Sequence, residues 1–277
     1  MSTMLYLGCW FVHTFIEENG VVYPAFDASS CGWIKFASGI RMPSINRPRQ
    51  FLHLRVCGRS RYSAKKKKEG NERAMTFCVA DIHGQWLLFE YLMKKIEFDP
   101  RKDRLYVVGD GIDRGPGSGS IQLLQYFRDN PSVHLIRGNH EELMLRTYGI
   151  GTNRLELHRW IETGGRNTFY ALQQLPSSER ERLLAFVAAS PDQMTVEVNG
   201  QRFHLVHALP SPDPYIRIWG RDESNAVFPK DALTICGHTP TATGEIYFDP
   251  HRRFVRIDCG MRRLACLRLE DMETFYV

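Results

Sequence analysis

The sequence predicts an α/β protein, because short apolar runs alternate with amphipathic stretches from Met75 onward. Five of these runs are short and rich in β-branched or aromatic residues, as buried strands are. They are Thr76–Ala80, Leu105–Val108, Val133–Ile136, Phe203–Val206 and Leu233–Cys236. The chain has 277 residues, of which 43% are hydrophobic, so it is long enough to bury a core. We expect one large domain, or one domain with an extension.

Helices are predicted between the strands, where apolar residues recur at helical spacing. One is expected at Trp86–Ile96 and another at Ile121–Phe127. Glu141–Tyr148 begins with acidic residues, which suit a helix N-terminus. The stretch Leu155–Ala189 is predicted to form helices that could cover a site on the sheet.

The later part of the chain favours antiparallel pairing. Asn199-Gly200, between Thr195–Val198 and Arg202–Val206, is the strongest two-residue hairpin signal. Val255–Asp258 and Cys266–Leu269 flank another turn, and we expect them to form a second hairpin.

Residues 1–74 are predicted to be an N-terminal extension of a catalytic domain at residues 75–277. The net charge of +5 comes from this front segment, where a Lys65–Lys68 run favours a solvated spacer over a nucleic-acid-binding element. We expect the extension to be poorly ordered or dispensable. Its aromatic residues, including Trp10 and Trp33, leave open that it packs on the domain or binds a partner.

Cysteine spacing and hydropathy indicate a cytoplasmic protein. The 7 cysteines are odd in number and scattered, which excludes a disulfide framework and a zinc knuckle. The apolar stretch Met4–Ile16 lacks a basic lead-in and a small-residue cleavage site, so neither a signal peptide nor a membrane span is predicted.

Each of the five predicted strands stops at a side chain that can bind a metal ion. Ligand sites in α/β sheets gather beyond the carboxyl ends of strands, where packing alone would place apolar residues. His83 lies two residues after Asp81, the first of these side chains. Together they mix oxygen and imidazole donors, a set that suits Mn²⁺ or iron better than Mg²⁺. We expect two divalent ions, most readily Mn²⁺ with iron or zinc as alternatives, and a bridging Asp110. The strand-end donors are Asp81, Asp110, Asn139, His207 and His238.

These residues lie in blocks that resemble those of the phosphoprotein phosphatase family, in its bacterial and phage branch. The resemblance covers about residues 75–277 and implies a calcineurin-like metallophosphoesterase fold, with two mixed β-sheets packed as a sandwich and flanked by helices. One departure is Ala80, where the family usually has Gly; its methyl group should fit unless the turn needs a positive φ. The blocks are Asp81-Ile82-His83-Gly84, Gly109-Asp110-Gly111-Ile112-Asp113-Arg114-Gly115, Gly138-Asn139-His140-Glu141, His207 and Gly237-His238-Thr239.

The resemblance implies hydrolysis of phosphomonoesters on serine and threonine residues of proteins, with tyrosine left open. A hydroxide bridging the two metals would attack phosphorus directly. His140 is expected to protonate the leaving group, with Asp113 holding its imidazole. Arg114 and Arg221, the latter in a Trp-Gly-Arg motif, are expected to bind the phosphoryl oxygens. For Arg137, the sequence leaves two roles open: a structural salt bridge or direct contact with the phosphate.

Other functions fit the sequence less well. A symmetrical dinucleoside tetraphosphatase would use the same metals on an anhydride, but such enzymes usually carry Ala at the position of Asp113 and Asp at that of Glu141. A non-catalytic metal or nucleic-acid-binding module would need neither His140 nor Asp113. A cysteine-dependent phosphatase would need a Cys-x5-Arg loop, which this sequence lacks. We therefore expect a monomer whose partner is a phosphoprotein or phosphopeptide substrate, and no membrane or nucleic-acid partner.

Overall fold

The computed structural model describes residues 15–18, 21–24, 73–149, 154–261 and 263–277. The chain divides into two units, Met1–Lys66 and Lys67–Val277. In the first unit, the described residues form one antiparallel hairpin of β1 (Phe15–Glu18) and β2 (Val21–Pro24). Most of the predicted extension lies outside the described residues, so its predicted dispensability stays a prediction.

A first five-stranded sheet contains three of the predicted strands. They are β3 (Thr76–Val79), β4 (Arg104–Val108) and β5 (Val133–Ile136), and they are parallel to one another. Two later strands, β11 (Ala265–Arg268) and β12 (Thr274–Tyr276), extend the sheet beyond β3 by antiparallel pairing. The strand order is β12-β11-β3-β4-β5.

Helices cover one face of this sheet, as predicted. Alternate strand residues such as Phe77 and Leu105 point to that face and pack with Phe89 and Leu123 of the helices. Fully burying such a side chain contributes about 1.5–3 kcal/mol. None of the helices in the described part of the chain has the length and apolar content needed to cross a lipid bilayer. The larger helices are α1 (Trp86–Lys95), α2 (Gly119–Asp129), α3 (Asn139–Tyr148), α4 (Arg154–Trp160), α5 (Arg166–Gln174) and α6 (Ser177–Ala189), and the segment Ile161–Gly165 between α4 and α5 is kinked at Gly164 (φ 110°).

A second five-stranded sheet is formed by β6 (Gln193–Val198), β7 (Gln201–Val206), β8 (Leu233–Cys236), β9 (Tyr247–Phe248) and β10 (Phe254–Arg256). The strand order is β6-β7-β8-β10-β9. Strands β7, β8 and β10 are parallel to one another. A short helix, α7 (Pro214–Trp219), lies between β7 and β8 in the chain.

The two predicted hairpins have different outcomes. Strands β6 and β7 form the first one, with Asn199 (φ 52) and Gly200 (φ 80) in the left-handed conformations that a type I′ turn requires. The second prediction is wrong, because β10 belongs to the second sheet and β11 to the first. The connection between them crosses from one sheet to the other instead of turning back along its own strand.

The two sheets pack face to face and confirm the predicted sandwich. Cys78 and Val108 of the first sheet share a buried cluster with Phe203, Leu205 and Ile235 of the second. Strands β3, β4 and β5 are parallel, and so are β7 and β8. The residues that follow these strands therefore lie together at one edge of each sheet.

Candidate metal centre

Several polar residues that follow the strands have a left-handed backbone. The φ angles are 52° at Asp81, 49° at His83, 53° at Asp110 and 65° at His238. Such conformations are uncommon for residues other than glycine, cost free energy, and cluster at functional sites. The neighbouring Ala80 keeps a negative φ, so its methyl group is tolerated as predicted.

Asp110 lies at the centre of two groups of donor atoms. Its carboxylate forms one group with His83 and His140 and another with His207 and His238, and the atoms of each group lie within 4.8 Å of one another. All five side chains are buried. A carboxylate shared by two groups is the arrangement that a bridging ligand needs.

Backbone carbonyls orient two of the histidines towards this carboxylate. His83 Nδ1 lies 3.2 Å from the carbonyl oxygen of Ile112, and His207 Nδ1 lies 3.0 Å from that of Val108. Their Nε2 atoms then lie 3.9 Å and 3.3 Å from the Asp110 carboxylate. A hydrogen bond from Nδ1–H to a carbonyl oxygen leaves the ring lone pair on Nε2, the atom that lies near the Asp110 carboxylate, as in metal-binding histidines.

Asp81 and Asn139 complete the predicted set. Asn139 Oδ1 lies 3.1 Å from His207 Nε2. Asp81 Oδ1 lies 4.0 Å from His83 Nε2, and both Asp81 oxygens accept from the backbone N–H of His238, at 3.2 Å and 3.0 Å. The structure therefore brings all six predicted ligand residues to one place. Their donor set suits divalent ions, and the buried Nε2 of His238 has no hydrogen-bond partner among the described residues.

Burial and neighbouring charges set the protonation states of these ligand residues. Burial raises the pKa of Asp81 well above its usual range, and the charge of Asp258 adds to the rise. Burial acts in the same direction on Asp110, but His207 and His140 hold its pKa well below its usual range. Burial lowers the pKa of His83 to about 4 and that of His238 to about 3, which keeps these imidazoles neutral near pH 7. The neutral imidazoles of His83 and His238 and the ionised carboxylate of Asp110 are the protonation states that metal binding requires. His207 differs: burial would lower its pKa, but the Asp110 carboxylate raises it to about 10, so a bound ion would have to displace a proton from His207 and from Asp81.

His140 and Asp113 form a buried pair next to the donor cluster. His140 Nδ1 lies 2.7 Å from Asp113 Oδ2, and both side chains are fully buried. Burial would lower the pKa of His140, but the Asp110 and Asp113 carboxylates raise it above its usual value. Its Nε2 lies 3.8 Å from Asp110 Oδ2 and has no hydrogen-bond partner in the described part of the chain. The imidazole can therefore carry a proton at the edge of the cluster.

Two exposed arginines border the cluster, and a third has a different environment. Arg114 Nη1 lies 3.0 Å from His83 Nε2, and Arg221 Nη1 donates to the carbonyl oxygen of His238 at 3.4 Å. Arg137 is half-buried, and its Nη1 donates to Glu142 at 3.4 Å. Of the two interpretations left open for Arg137, the structure supports the salt-bridging one.

Comparison with known proteins agrees with this geometry. A sequence model described as calcineurin-like phosphoesterase matches residues 76–262. The chain belongs to this family. It is 28% identical over 174 residues to serine/threonine-protein phosphatase 2 of Escherichia coli strain K12, across 61% of this chain and 75% of that protein. The predicted membership in the phosphoprotein phosphatases is thereby confirmed.

Other relatives of this phosphoesterase carry a different name. The chain is 37% identical over 81 residues to the symmetrical bis(5'-nucleosyl)-tetraphosphatase of Serratia proteamaculans, which is 28% of each protein's length. A solved structure provisionally described as a diadenosine tetraphosphatase has a TM-score of 0.52 and 16% identity, and covers 75% of this chain and 94% of that one. This structural likeness confirms the fold.

Three residues of the phosphoesterase site were given no structural or catalytic role by the sequence analysis. Glu141 and Trp160 are fully buried, and each bonds to a loop that carries predicted site residues. Asp258 is also buried, and it follows strand β10 as the predicted ligands follow their own strands. The polar residue at a strand end was thus a usable signal for Asp258, and Gly138-x-x-Glu141 is half of a helix-capping box. Nothing in the local sequence separates Trp160 from an ordinary core tryptophan.

The cysteines near this site are not suited to nucleophilic attack. Burial raises the pKa of the Cys236 thiol to about 12 and that of Cys259 to about 11. Because only the thiolate is nucleophilic, these side chains are inert near pH 7. Both thiols are free and buried, as structural cysteines are.

Proposed function

We propose that this phosphoesterase hydrolyses phosphomonoesters on serine and threonine side chains of proteins, as a monomer that acts on phosphoprotein substrates. The observation that carries the proposal is the buried pair of His140 and Asp113 beside the donor cluster. A serine or threonine alkoxide is a poor leaving group and needs a proton as the phosphorus–oxygen bond breaks. A phosphate released from an anhydride is a far weaker base, so it depends less on such a donor.

Six residues would hold the two divalent ions that the family uses. Asp110 would bridge the two ions, since its carboxylate lies near His83 in one group of donors and near His207 and His238 in the other. Mixed carboxylate, amide and imidazole ligands favour Mn²⁺, with iron and zinc as alternatives. Bound ions would supply positive charge for the phosphate dianion and would lower the pKa of water towards neutrality. The proposed ligands are Asp81, His83, Asp110, Asn139, His207 and His238.

The remaining residues would bind the substrate and move a proton. Arg114 and Arg221 are exposed at the edge of the cluster, where their planar guanidinium groups can each donate two hydrogen bonds to phosphoryl oxygens. His140 would donate its Nε2 proton to the leaving oxygen. Asp113 would hold the imidazole in the orientation for this transfer through its contact with Nδ1.

A second candidate is hydrolysis of a symmetrical dinucleoside tetraphosphate. The relative in Serratia proteamaculans bears that name, and its 37% identity over 81 residues supports this activity as the alternative. Against it, the Asp113 carboxylate bonds to His140, and an anhydride has little need of that arrangement.

A comparison of substrates tests the proposal. The purified full-length protein would be assayed with Mn²⁺ on a phosphoserine peptide and on diadenosine tetraphosphate, with kcat/KM measured for both. We expect the higher kcat/KM on the peptide. A higher value on the dinucleotide would assign the second candidate function, and no hydrolysis of either with Mn²⁺, Fe²⁺ or Zn²⁺ would contradict both.

A further inference from the structure

Trp160, the last residue of α4, contacts the buried pair of His140 and Asp113 through the Asp113 carboxylate. Its Nε1–H donates to Asp113 Oδ2 at 2.7 Å, which is the same oxygen that lies 2.7 Å from His140 Nδ1. The other oxygen, Oδ1, is buried and has no hydrogen-bond partner among the described residues. Two N–H donors therefore converge on one oxygen of a fully buried carboxylate.

This convergence restricts how the Asp113 carboxylate can turn. With the His140 bond alone, the carboxylate could rotate to offer Oδ1, and the imidazole would follow it. The indole N–H removes that freedom because rotation would break a second bond in a buried place, where a lost partner is costly. The hydroxyl of Ser120 accepts from the backbone N–H of Asp113 at 2.9 Å and itself accepts from Thr168 in α5, also at 2.9 Å.

The kinked segment Ile161–Gly165, which joins α4 to α5, holds the indole in this position. At Gly165 a Cβ would collide with Trp160 Nε1, so the close approach requires glycine. The carbonyl oxygen of Gly164 accepts from the backbone N–H of Arg114 at 3.0 Å. The same short segment thus contacts both Trp160, which bonds to Asp113, and the backbone of the proposed phosphate ligand Arg114.

We propose that Trp160 is a positioning residue, whose indole N–H holds the Asp113 carboxylate in the orientation from which His140 protonates the leaving group. The inference rests on the proposed function, because it assumes that His140 is the proton donor. It assigns the segment Trp160–Gly165 a part in the reaction, although none of its side chains belongs to the donor cluster.

The hydrogen bond can be separated from the packing of the same ring. Trp160 packs edge-on against Tyr148 and Phe169, with ring centroids 6.3 Å and 6.2 Å away. Trp160→Phe keeps an aromatic ring and removes the N–H. Phe169→Leu is the matched control, since it loosens the same aromatic cluster and keeps the N–H.

The test uses full-length protein with Mn²⁺ and two substrates, para-nitrophenyl phosphate with a good leaving group and phenyl phosphate with a poor one. We expect Trp160→Phe to lower kcat on phenyl phosphate by about 10- to 100-fold, the usual loss on removing such an outer partner, and to lower it less on the nitrophenyl ester. Phe169→Leu should affect both substrates equally. In a His140→Asn background, Trp160→Phe should cause no further loss that depends on the leaving group.

Two outcomes would overturn the inference: equal losses on both substrates for Trp160→Phe, or additive losses in the double variant. If His140→Asn itself loses equally on both substrates, the proton-donor assignment in the proposed function fails; if only Trp160→Phe does so, the inference alone fails. Should Trp160→Phe not fold, 3-benzothienyl-alanine incorporated at position 160 replaces the N–H by sulfur with nearly the same shape. The same leaving-group dependence is expected of it, and its absence would contradict the proposal.

Discussion

The backbone N–H of Asp110 donates to Glu141 Oε2 at 2.9 Å. The same fully buried carboxylate also accepts from the backbone N–H groups of Gly111 and Gly138, each at 2.9 Å. Burial raises the pKa of Glu141, and its bonds to the amides of Gly138 and Asp110 oppose that rise. One side chain at the start of α3 therefore ties the loop after β4 to the loop after β5.

We expect Glu141→Gln to destabilise the fold by about 1–3 kcal/mol, because an amide NH₂ would face backbone N–H donors that have lost their acceptor. Mn²⁺ affinity should fall as well, since the loop carrying Asp110 is loosened. Urea unfolding and metal titration measure the two effects. Glu142→Gln is the control: its surface bonds to Arg137 and Arg146 should contribute less than about 1 kcal/mol. Equal losses for both variants would contradict this role of Glu141.

His140→Asn should lower kcat on a phosphoserine peptide by about 10²–10⁴-fold, the usual contribution of a general acid. Metal content should stay unchanged. The metal measurement is decisive because His140 lies close enough to Asp110 and His83 to bind a metal ion together with them. Elemental analysis of the purified variant, beside the exposed-site control His158→Asn, separates the two roles. Loss of a metal ion would make His140 a ligand and not a proton donor.

Arg114→Ala and Arg221→Ala should each lower kcat/KM on the peptide, because each removes charge-assisted hydrogen bonds of about 1.5–3 kcal/mol. Inorganic phosphate should inhibit the wild type competitively and each variant more weakly. Arg137→Ala provides the control, since its guanidinium is paired with Glu142. Wild-type kinetics for Arg221→Ala would show that the phosphate is bound elsewhere.

The sequence was most informative where a polar residue interrupts an apolar pattern. Strands β3, β4, β5, β7 and β8 could be placed from their apolar runs, and the donors that follow them could be recognised because packing does not explain polar residues there. Sheet membership was harder to predict. The pairing of β11 with β3 joins residues far apart in the chain, and no local pattern distinguishes it from a hairpin with β10.

Residues that act through others were the least predictable. Trp160 and Glu141 are defined by what they bond to, namely Asp113 and the amides of two loops. The contacts of Trp160 with Asp113 and of Glu141 with Asp110 and Gly111 join residues 30 or more apart in the chain. A tryptophan at the end of an amphipathic helix has the same local sequence whether its N–H faces a site or the core.

A truncated chain, Met75–Val277, should be soluble and retain Mn²⁺-dependent phosphatase activity. All the predicted site residues lie in the unit Lys67–Val277. The new amino terminus would keep a partner, because the backbone nitrogen of Met75 already donates to the buried carboxylate of Asp103 at 3.0 Å. Solubility, thermal melting and activity would be compared with those of the full chain. An insoluble or inactive product would show that the front segment is part of the catalytic fold.

Asp110 is the residue on which the metal assignment depends most, because its carboxylate belongs to both groups of donors. A neutral amide cannot bridge two cations as a carboxylate does, so Asp110→Asn should lose metal and turnover together. Asp249→Asn, which removes a buried carboxylate paired with Arg253 instead, is the control.

The most direct measurement is Mn²⁺ titration of metal-free wild-type, Asp110→Asn and Asp249→Asn protein, with bound metal and phosphopeptide hydrolysis followed together. We predict that wild-type and Asp249→Asn activity rises to a plateau at two ions per chain and that Asp110→Asn shows neither the second ion nor turnover. Full wild-type activity without metal, or an active Asp110→Asn protein with two ions bound, would contradict the assignment.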